Sequence, residues 1–140
     1  MLNSTRGFLD SIKDFCFKPT DILVSFDVES LFTNVPLSET ITIIADTVYS
    51  QENIPSYSKD TFIKLLEKAT SGIFMYKDKL FRQVDGVTMG GPLGPNIANF
   101  CLAHLESRLL TDPDIDVKPA LYLRYVDDLF CVFRVGSSYV

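Results

Sequence analysis

Apolar and polar positions alternate along this chain with a period that changes several times, and each change predicts an element. Phe8, Leu9, Ile12, Phe15 and Cys16 recur at helical intervals, so a helix is expected from Phe8 to Phe17, with Pro19 as its stop. Residues 1–19 read as a remnant of a preceding element. Asp21-Ile22-Leu23-Val24-Ser25-Phe26-Asp27-Val28 is a strand with a lone carboxylate, Asp27, near its C-terminal end. A loop from Glu29 to Pro36 holds Phe32. Two helical stripes follow: Leu37, Ile41, Ile44, Ala45 and Val48, ended by Asn53 and Pro55, then Phe62, Leu65, Leu66 and Ala69, with Ser58 as N-cap and Gly72 as stop.

From Ile73 the pattern becomes strand-like. Ile73 to Tyr76 and Leu80 to Val84 form a predicted hairpin about a Lys77-Asp78-Lys79 turn. Asp85-Gly86-Val87-Thr88-Met89-Gly90-Gly91-Pro92-Leu93-Gly94-Pro95 is a glycine-rich loop that opens a helix with Ala98, Leu102, Leu105 and Leu109 on one face. Such a loop can point N–H groups at an anion or can simply connect two elements. After the break at Asp112-Pro113-Asp114, the apolar runs Leu121 to Val126 and Leu129 to Phe133 flank Asp127-Asp128, the predicted tip of a buried hairpin. That tip reads either as a solvated turn or as a place where carboxylates do chemistry.

The element order gives an α+β fold, an antiparallel sheet with helices packed on one face. In it Asp27 and Asp127 can lie side by side. With 140 residues, 46% of them hydrophobic, the chain can close one core and is of single-domain size. A formal net charge of -5 and a pI near 4.7 are unlike a free-standing nucleic-acid binder, which needs a basic face against phosphates. Cys16, Cys101 and Cys131 are far apart in apolar surroundings, so they read as reduced core residues of an intracellular protein rather than a zinc set. The N-terminal residues lack a signal-peptide profile, and no apolar run nears the roughly 18 residues of a membrane span, so a soluble protein without a membrane partner is expected. His104 has no recognisable catalytic partner and reads as structural.

Three carboxylates at one sheet edge would repel, each close pair by up to about 4 kcal/mol at 4 Å and an effective dielectric near 20. Such a cluster needs cations. Hard oxygen ligands suit magnesium or manganese, and two such ions can clamp the attacking and leaving oxygens of phosphoryl transfer.

The same residues carry a resemblance. Phe26 to Pro36 (FDVESLFTNVP), Asp85 to Pro95 (DGVTMGGPLGP) and Tyr122 to Phe130 (YLRYVDDLF) resemble the three central motifs of a reverse transcriptase, with Penelope-like retroelements as the closest match. The likeness covers about residues 20 to 135. It implies a polymerase palm in which Asp27 and Asp127 bind two magnesium or manganese ions, Val28 adds a main-chain carbonyl ligand and Asp128 completes the acidic site. It further implies that Phe32 lies under the sugar of the incoming nucleotide and favours a DNA product, and that Met89, Gly90 and Gly91 lie near nucleotide and template. Gly91 departs from the serine usual in close relatives, which removes one hydroxyl.

The implied partners are an RNA or DNA template with its primer, and deoxynucleoside triphosphates; the implied location is the nucleus. Fingers and thumb, and the nuclease domain that such retroelements often carry, are expected to be missing, so the chain alone is expected to be inactive. On that expectation, their absence would also account for its acidity. Two other readings remain: a non-catalytic palm remnant that binds divalent metal or a partner protein, and an RNA-dependent RNA polymerase palm, against which Phe32 argues.

Overall fold

In the computed structural model the chain runs α1 (Thr5–Lys13), β1 (Asp21–Asp27), α2 (Leu31–Asn34), α3 (Leu37–Tyr49), α4 (Lys59–Thr70), β2 (Ile73–Tyr76), β3 (Lys79–Arg82), α5 (Gly94–Thr111), β4 (Leu121–Tyr125) and β5 (Asp128–Arg134). The structure describes residue 2 and residues 4–134; the end of the chain, residues 135–140, which the sequence reading places after the last strand, lies outside the described residues. The fold is mixed α+β with antiparallel sheets. Two compact units divide it: Met1–Glu29 with Glu106–Val140, and Ser30–Leu105.

The first unit is built on a three-stranded sheet of order β1-β5-β4, antiparallel throughout. Central strand β5 receives both ladders and holds the buried apolar residues of the sheet, Cys131 and Val132. Strand residues alternate between faces. The register therefore puts Tyr122, Arg124, Leu129 and Cys131 on one face, and Leu123, Tyr125, Phe130, Asp128, Ser25 and Asp27 on the other. Glu106, near the end of α5, bonds to Tyr122 and Arg124 on the first face. Phe8 of α1 meets Phe130 edge-on, with ring centroids 5.4 Å apart, on the second. At the far end of the β1–β5 ladder Asp21 faces Arg134.

Helix α1 begins earlier than its apolar pattern predicts and ends earlier too. The Ser4 hydroxyl accepts from the Gly7 N–H at 3.1 Å, an N-cap that starts the helix at Thr5. Phe15, which shares the helical spacing of Phe8 and Ile12, lies beyond the last residue of α1 and packs there on Phe17, centroids 4.8 Å apart.

Among the described residues of the second unit, Leu31, Val35, Ile41, Ala45, Val87, Ile97, Ala98 and Cys101 are the buried apolar ones. The loop expected from Glu29 to Pro36 contains the short helix α2, which buries Leu31. Ser58 caps α4 as the sequence predicts, accepting from the Thr61 N–H at 3.2 Å. Helices α3 and α4 meet through Tyr49 and Phe62, centroids 5.9 Å apart, and through an ion pair between Lys59 and Asp46. The β2–β3 hairpin forms a separate two-stranded sheet whose side chains are exposed. Its turn is two residues, not three. Lys77 and Asp78 both take positive φ, 48° and 59°, which suits a tight hairpin connection, and Lys79 pairs with Tyr76. Cys101 and Cys131 are buried and Cys16 is exposed, all three as free thiols.

Ile41 is 1% exposed. Ile41→Ala leaves a cavity in the second unit and should lower stability by about 2–5 kcal/mol, measured by urea unfolding. An equivalent loss is not expected from Lys64→Ala, since the Lys64–Asp60 pair lies on the surface of α4.

Candidate active site

The last ladder position of β1 and the first of β5 pair Asp27 with Asp128. Directly opposed residues of an antiparallel pair project from the same face with Cβ atoms about 4.5–5.5 Å apart, so two carboxylates that are remote in sequence become neighbours. Both are exposed. Asp127 is not at the tip together with Asp128: the turn is Val126-Asp127, and Asp128 already pairs with Tyr125 inside the ladder. The Asp127 carbonyl accepts the Val28 N–H at 3.0 Å, which ties the turn to the residue following β1. Asp27 and Asp128 line a cleft of about 380 Å³ with Ser25, Tyr125, Phe8 and Phe130.

The donor set is oxygen only, the kind that a hard divalent cation takes. Asp27 and Asp128 are brought together. Among the described residues, however, no three Asp, Glu, His or Cys side chains are gathered into a group that could hold a metal ion. Like charges with no cation between them repel, which opposes such gathering.

Beneath the turn lies a charge that the sequence reading did not single out. Arg124 is the largest fully buried side chain, 2% exposed. Its Nε donates to Glu106 Oε1, Nη2 donates to Glu106 Oε2 at 3.3 Å, and Nη1 donates to the Val126 carbonyl at 2.8 Å. The Tyr122 hydroxyl also donates to Glu106 Oε1, at 2.7 Å. Val126 has φ 55°, a left-handed conformation that costs a β-branched residue of order 1–3 kcal/mol. A sequence signal existed: Tyr122 and Arg124 stand two apart in an apolar strand, hence on one face, and an arginine there demands a buried partner.

In the second unit Phe32 is half-buried on α2. Its carbonyl accepts the Val87 N–H at 2.7 Å. Gly86, at φ 74°, lies so close that an added Cβ would be 2.6 Å from the Phe32 carbonyl oxygen and 2.7 Å from Thr33 Cα. The glycine-rich loop thus grips the backbone of the Phe32 segment. Several of its N–H groups are used internally: Gly86 on Asp85 Oδ1, Gly91 on the Thr88 carbonyl and Gly94 on the Gly91 carbonyl. Of the three loop residues expected near a nucleotide, Gly91 lines a cleft of about 280 Å³ with Thr88 and Gly72, whereas Met89 and Gly90 are exposed. No helix among the described residues is long and apolar enough to cross a membrane.

Comparison with known proteins adds the family. The family model described as reverse transcriptase (RNA-dependent DNA polymerase) matches residues 6–138. Among solved structures, apo telomerase from Candida tropicalis truncated from its C-terminal domain is similar at 18% identity and a TM-score of 0.62, over 96% of this chain and 30% of that one. Apo telomerase from the same organism is similar at 18% identity and a TM-score of 0.60, over 98% of this chain and 28% of that one. The chain therefore spans less than a third of those structures, and at this identity they speak to the fold. No curated protein matches.

Burial, followed by the hydrogen bond to Glu106, pushes the Tyr122 phenol well above the ordinary tyrosine value. Its contribution to stability is complete below about pH 10, where an unfolded tyrosine keeps its proton, and is lost as pH rises beyond that. Alkaline unfolding followed by circular dichroism should therefore begin above about pH 10 and be shallower in Tyr122→Phe. Gly86→Ala should destabilise the chain by about 1–3 kcal/mol in urea unfolding, since strained φ and close backbone contact act together.

Proposed function

The chain belongs to the reverse transcriptase (RNA-dependent DNA polymerase) family, and on that premise we propose that it is the palm segment of a polymerase making DNA on a template, of the Penelope-like kind and acting in the nucleus. The observation that supports this reading best is the pairing of Asp27 with Asp128 at the mouth of a cleft, with Asp127 in the adjoining turn.

Asp27, Asp127 and Asp128, with the Val28 carbonyl, would hold two magnesium or manganese ions. When bound, such ions would supply the positive charge that activates a primer 3′ hydroxyl and neutralises the triphosphate. The chain's own part is positioning: the β1–β5 ladder brings Asp27 and Asp128 together, beside a cleft lined by apolar side chains such as Phe8 and Phe130 as well as by Ser25. Phe32 serves as the aromatic residue that disfavours a ribose 2′ hydroxyl and so selects deoxynucleotides. Gly91 and its neighbours Met89 and Gly90 face nucleotide and template.

Thermal melts of the chain with and without Mg2+ or Mn2+ test the metal reading. A ligand that binds only the folded state adds about 2.7 kcal/mol at one hundred times its dissociation constant. Both ions should raise the melting temperature, and Asp128→Asn should raise it without metal while weakening the metal effect. No shift with either ion, and no gain from the substitution, would leave a non-catalytic remnant as the better reading.

Phe32→Val tests the selectivity reading in an extension-competent protein that carries this segment. Ribonucleotide use should rise about a hundredfold relative to deoxyribonucleotide use. Equal loss for both substrates would make Phe32 a core residue and reopen the RNA polymerase alternative.

A further inference from the structure

The charge buried under the carboxylate turn has no part in the reading above, yet its geometry is that of a clamp. Arg124 and Val126 flank Tyr125, and the Arg124 side chain turns back to bond the carbonyl of Val126, the first residue of the turn. That carbonyl belongs to the peptide whose N–H is that of Asp127. Fixing its plane fixes the main chain from which Asp127 projects. The left-handed φ of Val126 is one that valine avoids, so the turn needs a contact to hold it there. Arg124 can supply that contact only if its own position is fixed. Glu106 does so through two oxygens, and the Tyr122 hydroxyl occupies Oε1 beside the guanidinium nitrogen. Arginine suits the place because its planar fork serves a carboxylate and a carbonyl at once, which a lysine ammonium on a flexible stem does not reproduce.

We propose that Arg124 and Glu106 are positioning residues for the carboxylate turn: Glu106 fixes the guanidinium, the guanidinium holds Val126 in its left-handed conformation, and Asp127 is thereby set for the divalent ion it binds. The last step rests on the metal-binding reading of Asp127; the first two do not.

Two measurements on the purified 140-residue chain separate these steps. The first is a double-mutant cycle on the unfolding equilibrium constant, with Arg124→Lys, Val126→Gly and the pair. Glycine takes positive φ freely, so a turn with Val126→Gly no longer needs holding. Arg124→Lys should then be at least fivefold less damaging in the Val126→Gly background than in the Val126 background. An equal effect in both backgrounds would make Arg124 a structural charge that does not hold the turn, and would overturn the proposal. If Arg124→Lys fails to fold, Glu106→Gln enters the cycle in its place, since it keeps side-chain shape and an acceptor for Tyr122, and the same fivefold criterion decides.

The second is Mn2+ binding by the folded protein, followed by loss of the free-ion electron paramagnetic resonance signal. Arg124→Lys should weaken it about tenfold, and Val126→Gly with Arg124→Lys should show a smaller dependence on residue 124. Unchanged affinity in folded Arg124→Lys would overturn the positioning of Asp127. If the unsubstituted chain takes up no Mn2+ that Asp127→Asn abolishes, the metal-binding reading fails instead, and the cycle alone decides whether Arg124 holds the turn.

Discussion

Antiparallel pairing of β1 with β5 is the constraint on which the site depends. Its register runs without a break from Asp21↔Arg134 to Asp27↔Asp128. A slip of one residue would send every side chain of a strand to the opposite face, separating the two carboxylates and turning Cys131 out of the interior. The ladder ends differ in character. Opposite charges face each other at Asp21 and Arg134, which favours pairing, and like charges face each other at Asp27 and Asp128, which opposes it. Apolar partners between them, Leu23 with Val132 and Val24 with Cys131, keep the pairing whole. The like-charge repulsion of this ladder falls on its outermost pair, Asp27 and Asp128.

The glycine-rich stretch shows how one feature can be put to a different use from the one its composition advertises. Glycines ahead of a helix allow an anion cradle, but here Gly86 permits close backbone approach and Val87 bonds to the Phe32 carbonyl. What the loop holds is a segment of its own unit. Burial of Val87 and Gly94 anchors its two ends, while Met89 and Gly90 stay at the surface.

Periodicity made most elements legible. The strand ending near Asp27, the stripes of α3 and α4, the Ser58 cap and both hairpins stand in the chain much as their residues imply, because the face each element buries is set by spacing within that element. Two kinds of feature were illegible. The tight turn at Val126-Asp127 was hidden because a β-branched residue is a poor candidate for positive φ, and the hydrogen bonds it receives there, from Arg124 to the Val126 carbonyl and from Val28 to the Asp127 carbonyl, carry no sequence signal. The partnership of Arg124 with Glu106 was hidden because it joins a strand to a helix, and no local rule pairs them. Phe15 and Cys16 misled in the opposite sense, since they continue the apolar interval of α1 beyond its last residue, where Phe15 packs on Phe17 instead.

The distribution of the three thiols has a practical consequence. Cys16 is open to solvent, while Cys101 and Cys131 are enclosed, and enclosure raises the Cys131 thiol above its ordinary ionisation range. Thiolate is the reactive form, so enclosure and protonation both shield Cys131. To an alkylating or disulfide-exchange reagent the folded chain therefore presents one fast thiol, and the remaining two react as the structure opens. Cys101 lies on α5 in the second unit and Cys131 on β5 in the first. Their separate labelling rates report the opening of each unit, giving the chain an internal gauge of local unfolding that needs no added probe.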